Sequence, residues 1–565
     1  MRPYPTTRAA THRSQGSPIT GLPLLLCAVS VAACVGQIGD RDEGGPGDDG
    51  TGEAKSPQCA NLDPGTSPIR RLTRVEYDNT VRDLLGDETH PAQSFAAEEE
   101  SLGFNNQATA LNVTQLHAEQ YLEAAEALAA TAVEDLGKLT GCDPAEKSEA
   151  ECAEAFIVGF GKKAFRRPVD AEELERYRTL FDVWSGDGYQ TAIRIVLTAI
   201  LQSPHFLYRV EFGMPDPVEE DVVELDQYEV ASRLSYLLWN SMPDDELFSA
   251  ADAGKLESRE EIRAQAERML ADPRARQAVA NFHAQWLGLG GMDSLVKDTE
   301  MYPSYDDSLR ELWKSETEEF VNHVVFDGDG DMTTLFTADY TLANAELAGF
   351  YGLSGPGGAK FEKVAVDAEQ RAGFLTHASI LAINAKTNQT SPVHRGQFVR
   401  ERLLCQILPP PPDDVDINPP AIDPDATTRE RFSQHSEDPA CSGCHQLMDP
   451  IGFGFENYDG IGLWRTKEGT QTVDASGEVI DGGDAAGEFV GAVELARRLA
   501  ESETVRQCVT TQWFRFAFGR AEEEADSCSI DTAYEAFEAS GFDIQTLLLA
   551  LTQTDAFLYR KAVVP

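Results

Sequence analysis

The sequence is poor in basic residues. It contains 47 Lys and Arg residues against 95 Asp and Glu residues, which gives a formal net charge of −48 at neutral pH. Such a chain repels phosphate backbones and anionic bilayer surfaces. We therefore expect no nucleic-acid partner. We interpret the acidic excess as a solvated surface rather than as a docking surface for a basic partner.

Long apolar runs are also scarce. After Ala33 no run is long and apolar enough to cross a bilayer as a helix, and residues 21–33 are themselves too short. Because Arg2, Arg8 and Arg13 precede that short run, residues 1–34 are predicted to be an export signal.

The end of this segment, Val31-Ala32-Ala33-Cys34, is similar to a bacterial lipobox, which implies that Cys34 is lipidated. Val35 follows Cys34, and by resemblance to lipoprotein sorting signals this residue favours the outer membrane. The protein is then expected to face either the periplasm or the cell surface. The alternative is an ordinary signal peptide that is cut nearby.

Common catalytic motifs are missing too. The sequence contains no Gly-x-Ser-x-Gly elbow, no phosphate-binding Gly-x-x-x-x-Gly-Lys-Ser/Thr loop and no His-Glu-x-x-His pair. Whether the protein is an enzyme therefore stays open at this level.

Apolar residues at helical spacing fill most of the chain. They predict a mainly α fold of several packed helical modules, with a small β-hairpin element in the C-terminal part at residues 473–482. Thr73 and Asp170 are predicted helix caps, and Gly86 a helix stop. The predicted segments are a lipoprotein signal at 1–34, a disordered acidic linker at 35–66, helical domains at 67–138, 142–213 and 222–350, a cytochrome-c-like domain at 371–470 and a C-terminal helical domain at 471–565.

Ten cysteines are present, and export makes disulfides plausible for those outside the signal and the central motif. Short-range closure predicts the pairs Cys142–Cys152 and Cys508–Cys528. Elimination leaves Cys59–Cys405.

The most specific chemical pattern is Cys441-Ser442-Gly443-Cys444-His445. Cys-x-x-Cys-His is the spacing that attaches a c-type haem, because two thiols on one turn add to the haem vinyl groups while the adjacent imidazole ligates the iron. It therefore predicts covalent haem c on Cys441 and Cys444, with His445 as the proximal ligand. The same spacing alone also fits a redox dithiol, half of a zinc site or a local disulfide.

The second axial ligand is harder to identify. After His445 the sequence contains no histidine and a single methionine, Met448, which lies within one turn on the same side of a helix. This departs from small electron-transfer cytochromes, whose distal methionine lies downstream. The distal position is either open, which favours peroxide or oxygen chemistry, or filled, which favours electron transfer. His435 is the first candidate ligand, and the others are His377, His394, Lys467 and Tyr458.

Polar residues after the motif are candidates for supporting a haem. Arg465 suits a haem propionate, because its guanidinium matches a carboxylate in geometry. Asp449, Glu456, Asn457 and Asp459 are candidates for orienting His445 or contacting the propionates. The alternative for all five is that they cap and brace a compact loop.

Further motifs are distributed along residues 67–560. They are Arg71-Leu72-Thr73, Ala164-Phe165-Arg166-Arg167-Pro168, Ala231-Ser232-Arg233-Leu234-Ser235-Tyr236, Thr390-Ser391-Pro392 and the segment 441–465. Together they resemble the planctomycete cytochrome-c-like group, exported bacterial proteins built from consecutive domains of unknown function. The resemblance implies the domain order and a haem motif, and it implies no reaction.

The leading interpretation is a membrane-anchored, exported c-type haem protein in electron transfer or other haem-based redox chemistry, with a redox partner protein. Any enzymatic activity would then be that of a haem-dependent oxidoreductase. The alternative is a non-enzymatic envelope lipoprotein in which Cys441 and Cys444 form a structural disulfide or a metal site.

Overall fold

A computed structural model describes Cys59 and residues 62–219, 221–409, 419–433 and 439–562. All of them belong to one unit, Ser56–Pro565. The predicted signal at 1–34, its lipidation site Cys34, most of the linker at 35–66 and the candidate ligand His435 lie outside the described residues.

The described part of the chain is mainly α-helical, as predicted. Its α-helices are Arg74–Leu85, Gln115–Ala132, Leu136–Thr140, Glu149–Phe165, Ala171–Trp184, Tyr189–Leu201, Pro204–Leu207, Gln227–Trp239, Asp245–Asp252, Arg259–Leu270, Arg274–Trp286, Leu309–Asn322, Met332–Thr337, Ala345–Tyr351, Ala378–Ile383, Pro392–Phe398, Thr428–Phe432, Pro439–Phe453, Gly491–Glu501, Glu503–Phe518, Ser527–Ala539, Ile544–Leu551 and Asp555–Leu558. Within these described residues, no helix is long and apolar enough to cross a membrane.

Helix boundaries follow local capping chemistry. Thr73 accepts from the backbone N–H of Glu76, whose carboxylate accepts from the backbone N–H of Thr73 in return. Asp170 and Glu173 form the same reciprocal pair at the start of Ala171–Trp184. Gly86 ends the first helix in the left-handed region, at φ 74°. The predicted caps and the predicted stop are therefore confirmed.

The strands are short and antiparallel. The pairs are Arg70–Arg71 with Tyr208–Arg209, Pro217–Glu219 with Val222–Glu224, Val222–Glu224 with Tyr559–Lys561, Tyr340–Ala343 with Glu362–Ala365, Lys467–Glu468 with Gln471–Thr472, and Ser476–Val479 with Gly487–Val490. The predicted C-terminal hairpin is present, but its second strand lies beyond residue 482. A 3₁₀ turn at Gly483–Ala485 lengthens the connection, which alternation within 473–482 could not indicate.

The hydrophobic core has three clusters. One is formed by residues between Leu72 and Leu207 together with Tyr236. The largest draws on residues from Phe104 to Leu558, and the smallest on residues from Met292 to Ile461. The predicted segments 222–350, 371–470 and 471–565 therefore share a core, and burial of their apolar side chains stabilises them jointly.

All six predicted disulfide cysteines are paired, but two of the predicted pairings are wrong. Cys142–Cys152 is present, at a sequence separation of 10. The other bonds are Cys59–Cys528 and Cys405–Cys508, separated by 469 and 103 residues. The prediction assumed that cysteines near each other in sequence pair. In the structure, Cys405 follows the π-helical segment Val399–Leu403, which packs on Glu503–Phe518, the helix that carries Cys508.

Mapping of disulfide-linked peptides from the oxidised full chain tests this connectivity. We expect a Cys405–Cys508 peptide and a Cys59–Cys528 peptide, because the fold places these residues together. A Cys508–Cys528 peptide as the main species would contradict the fold around Glu503–Phe518. Cys142–Cys152 serves as the internal control, since both the sequence and the structure assign it.

Candidate functional site

The Cys-x-x-Cys-His segment lies on the helix Pro439–Phe453, which we call the CxxCH helix. Cys441, Cys444, His445 and Met448 are spaced by three, one and three residues, so they share one helical face. Both cysteines are half-buried, and neither forms a disulfide within the described residues. The helix therefore presents two thiols and an imidazole along one stripe.

A buried carboxylate orients the imidazole. Both carboxylate oxygens of Asp449 lie 3.1 Å from Nδ1 of His445, one turn along the same helix. Asp449 is 2% exposed. Because the carboxylate accepts the Nδ1–H, Nε2 is the nitrogen suited to metal ligation, and the ligand becomes more basic. The predicted orienting role of Asp449 therefore has direct geometric support.

A second helix, Pro392–Phe398, contacts the backbone of the CxxCH helix, and we call it the glycine helix. A Cβ atom on Gly396 would lie 2.0 Å from the carbonyl oxygen of Met448. A Cβ on Gly452 would lie 1.9 Å from the carbonyl oxygen of Pro392. Only glycine permits this approach, since any side chain would overlap the facing backbone. The two contacts fix the distance and the register between the helices.

Other residues restrain the remaining sides of the CxxCH helix. Arg400 donates from Nε to the carbonyl oxygen of Leu447 at 2.9 Å, and it also donates to the carbonyl oxygen of Ile480. The Arg429 guanidinium lies 4.4 Å from the centre of the Phe453 ring. The Cys-x-x-Cys-His stripe is thus carried by a helix whose position is set by distant parts of the chain.

Arg465 has a carboxylate partner within the protein. Its Nη2 lies 2.8 Å from Oε2 of Glu456, which also accepts from Thr390 Oγ1 at 2.9 Å. Glu456 is 2% exposed, and burial raises the pKa of its carboxyl while Arg465 and Arg395 oppose that shift. To bind a haem propionate, Arg465 would have to divide its N–H donors between the propionate and Glu456. Its role in binding haem remains a prediction.

The loop after the CxxCH helix is braced by its own polar residues. Oδ1 of Asp459 accepts from the backbone N–H groups of Ile461 and Leu463, at 2.9 Å each. Asn457 donates to the carbonyl oxygen of Arg465 at 3.0 Å. These two residues act as braces of a compact loop, which is the alternative raised from the sequence.

The other candidate axial ligands have partners away from the stripe. Nδ1 and Nε2 of His377 lie 3.0 and 3.4 Å from the hydroxyls of Thr317 and Thr341, and burial lowers the pKa of His377 to about 3. His394 lies 2.6 Å from Ser391 Oγ and 3.4 Å from Lys386 Nζ, and burial lowers its pKa to about 4.

Tyr458 and Lys467 differ from these histidines in exposure. Tyr458 is fully buried and donates its hydroxyl to the carbonyl oxygen of Gln370, whereas Lys467 is exposed. Across the ranges that the structure describes, no group of three or more His, Cys, Asp and Glu residues could hold a metal ion.

Sequence reasoning missed the glycine contacts and the role of Arg395. The Arg395 guanidinium is buried and donates to the carbonyl oxygens of Phe455, Tyr458 and Asp459 at 2.8–3.1 Å. One signal was available: glycine inside a helical run, which often marks a close packing contact.

Family models match five consecutive parts of the chain, and each describes a protein of unknown function. They are DUF1587 at residues 70–134, DUF1595 at 152–211, DUF1592 at 225–353, DUF1588 at 371–468 and DUF1585 at 486–557. These are the domains of the planctomycete cytochrome-c-like group, and the model named PSCyt3, at 371–468, includes the CxxCH helix. No curated protein and no solved structure is significantly similar to the chain.

Substitution of Gly396 by Ala tests the backbone contact. We expect Gly396→Ala to lower the free energy of unfolding by about 1–3 kcal/mol, because its Cβ overlaps the facing backbone. Gly443→Ala is the matched control, because a Cβ there meets nothing within 4 Å. An exposed helical Gly→Ala change is expected to stabilise by roughly 0.5–1 kcal/mol. Equal effects of both variants in thermal unfolding would contradict the close approach.

Proposed function

We propose that this chain is an exported c-type haem protein with a redox function, electron transfer or another haem-based oxidation–reduction reaction. The observation that carries the proposal is the stripe of Cys441, Cys444 and His445 on a helix fixed by backbone contacts. The cytochrome-c-like domains support it, because the PSCyt3 match covers the same helix.

The donor set fits covalent haem attachment. Each thiol, from Cys441 and Cys444, would add across one vinyl group, forming a carbon–sulfur bond while its hydrogen goes to the other vinyl carbon. The addition is redox-neutral and needs both cysteines as thiols, the form in which the structure describes them. A bound haem supplies a one-electron iron couple, which no amino-acid side chain here can replace.

Asp449 gives the proposed site a defined electrostatic character. Its carboxylate would stabilise positive charge on His445 and increase the donor strength of Nε2. Both effects favour the more oxidised iron. Asp449 therefore acts as a positioning residue, which sets the orientation of the ring and lowers the reduction potential.

For the second axial position, His435, Lys467 and an open site remain the candidates. His377 and His394 have partners at both ring nitrogens, so neither is available without breaking those contacts. Tyr458 donates its hydroxyl to a backbone carbonyl. The ferric spectrum distinguishes a filled position from an open one, since a strong second ligand gives a low-spin iron and an open position a high-spin iron.

The proposed location is the cell envelope, and the basis for it is lipidation of Cys34. Residues 1–34 have the pattern of a lipoprotein signal, and Cys34 would carry the lipid. The lipid would anchor the chain to the membrane through its acyl chains, and a redox partner protein would exchange electrons with the haem.

The first test is the intact mass and absorption spectrum of the full chain from a host that matures c-type cytochromes. We expect one covalent haem, and a lipid if Cys34 is modified. We expect Cys441→Ser/Cys444→Ser to lose covalent haem, because both thioethers are removed. Ser442→Ala is the control within the same motif and retains the haem. A colourless wild-type protein, lighter than its dithiol form by two hydrogen atoms, would favour the structural-disulfide alternative.

The second test concerns Asp449. We expect Asp449→Asn to raise the reduction potential of the haem protein by tens of millivolts, where about 59 mV is a tenfold change for a one-electron couple. The reason is that the amide removes the negative charge next to His445. Asp182→Asn is the control, because Asp182 is exposed on the helix Ala171–Trp184, whose apolar residues pack in a different cluster from those of the CxxCH helix. An unchanged potential in Asp449→Asn would overturn the assigned role.

A further inference from the structure

A chain of buried carboxyl, hydroxyl and imidazole groups lies outside the proposed haem site. Thr341 Oγ1 lies 2.7 Å from Oε1 of Glu316 and 3.4 Å from Nε2 of His377. Thr317 Oγ1 lies 3.0 Å from Nδ1 of His377 and 2.8 Å from Ser379 Oγ. These side chains form one continuous series of hydrogen bonds, which we call the Glu316 chain.

The Glu316 chain is shielded from water, and few ionisable groups face it. Its members are at most 3% exposed. The ionisable groups that face Glu316 are Arg371, His377 through Thr341, and Tyr351, whose hydroxyl donates to Oε2 at 2.6 Å. Burial raises the pKa of Glu316 to about 7, while the hydroxyls of Tyr351 and Thr341 and the positive charge of Arg371 oppose that shift. The carboxyl group therefore gains or loses its proton close to neutral pH.

With Glu316 ionised, the hydrogens of the chain all point toward the carboxylate. Thr341 donates to Oε1 of Glu316, and Nε2–H of His377 donates to Thr341. Nδ1 of His377 then accepts from Thr317, whose oxygen accepts from Ser379. Each group has an acceptor for the one hydrogen that it carries.

With Glu316 protonated, the same atoms fit the opposite arrangement. Oε1–H of Glu316 donates to Thr341, whose hydroxyl donates to Nε2 of His377. Nδ1–H of His377 donates to Thr317, whose hydroxyl donates to Ser379. The two arrangements differ by one proton, and His377 changes from its Nε2–H to its Nδ1–H tautomer. The ring is neutral in both, because burial and then Arg371 lower its pKa to about 3.

We propose that Glu316 is a proton-binding site whose occupancy sets the direction of the whole Glu316 chain and the tautomer of His377. Both arrangements satisfy every member, so the heavy atoms stay in place while the hydrogens reverse. A proton bound at one end is thereby sensed at the other end, at Ser379.

The site lies where two of the matched domains meet. Glu316 belongs to the DUF1592 match, whereas His377 belongs to the DUF1588 match, which includes the CxxCH helix. Arg371, whose charge acts on Glu316, donates to the carbonyl oxygen of Gly462 at 2.6 Å, in the loop after the CxxCH helix. Loss of the proton places a buried negative charge at this junction, so the stability of the junction depends on pH.

Chemical unfolding of the full chain from about pH 5 to about pH 9 tests the proposal. The pKa of about 7 in the folded chain exceeds the ordinary value of 4.5, so folding takes up a proton between these values. The folding equilibrium constant of the wild type is therefore expected to fall as pH rises to about 7, by up to about tenfold per unit relative to Glu316→Gln. Above this range the two proteins should show the same dependence.

Glu346→Gln is the matched control for the unfolding experiment. Glu346 is exposed on the helix Ala345–Tyr351, which packs next to Glu316 through Tyr351. This variant should keep the pH dependence of the wild type. Equal pH dependence of the wild type and Glu316→Gln would contradict the proposal, because the proton would then be bound elsewhere.

Solid-state NMR of the full chain with isotope-labelled histidine tests the change of tautomer directly. We expect Nδ1–H of His377 at the acid end of the range and Nε2–H at the alkaline end, with the signal assigned by its loss in His377→Gln. Glu316→Gln should hold Nδ1–H throughout, because Tyr351 donates to the amide oxygen and the NH2 group then donates to Thr341. If no neutral histidine of the wild type changes tautomer across the range, the proposal is overturned, and that result requires no variant to fold.

Discussion

Buried arginines that donate to backbone carbonyls hold the distant segments of this protein together. A guanidinium carries five donors, and in a buried position each needs an acceptor. Carbonyl oxygens at the ends of helices and in loops are the acceptors that remain available there. The sets are Arg166 with the carbonyls of His205, Phe206 and Tyr208, Arg233 with those of Ala556 and Phe557, Arg371 with those of Thr376 and Gly462, and Arg395 with those of Phe455, Tyr458 and Asp459.

The candidate haem site depends on one of these arginines. Arg395 lies on the glycine helix and binds the loop that follows the CxxCH helix, so one residue connects both elements. Gly396, its neighbour, then lies against the backbone of Met448. The consequence is that the stripe of Cys441, Cys444 and His445 is positioned by backbone contacts. Side chains around it can therefore change its electrostatics without moving it.

The sequence predicted what depends on near neighbours. The caps at Thr73 and Asp170 involve residues three positions away, and the contact between Asp449 and His445 spans a single helical turn. It could not predict contacts that exist only after distant segments pack. Cys59–Cys528 and the facing backbones at Gly396 and Gly452 are of that kind. Arg465 shows the same limit, since its pairing with Glu456 competes with the propionate role that its position suggested.

The disulfide Cys59–Cys528 has a mechanical consequence. It closes a covalent ring that includes nearly all of the folded chain, over a sequence separation of 469 residues. Tension applied between the segment before Cys59 and the segment after Cys528 would pass through the sulfur–sulfur bond rather than through the helices that lie between these two cysteines. While the bond is oxidised, a pull on the two ends can extend only the residues outside the ring. Reduction would transfer the load to the non-covalent junctions of the fold.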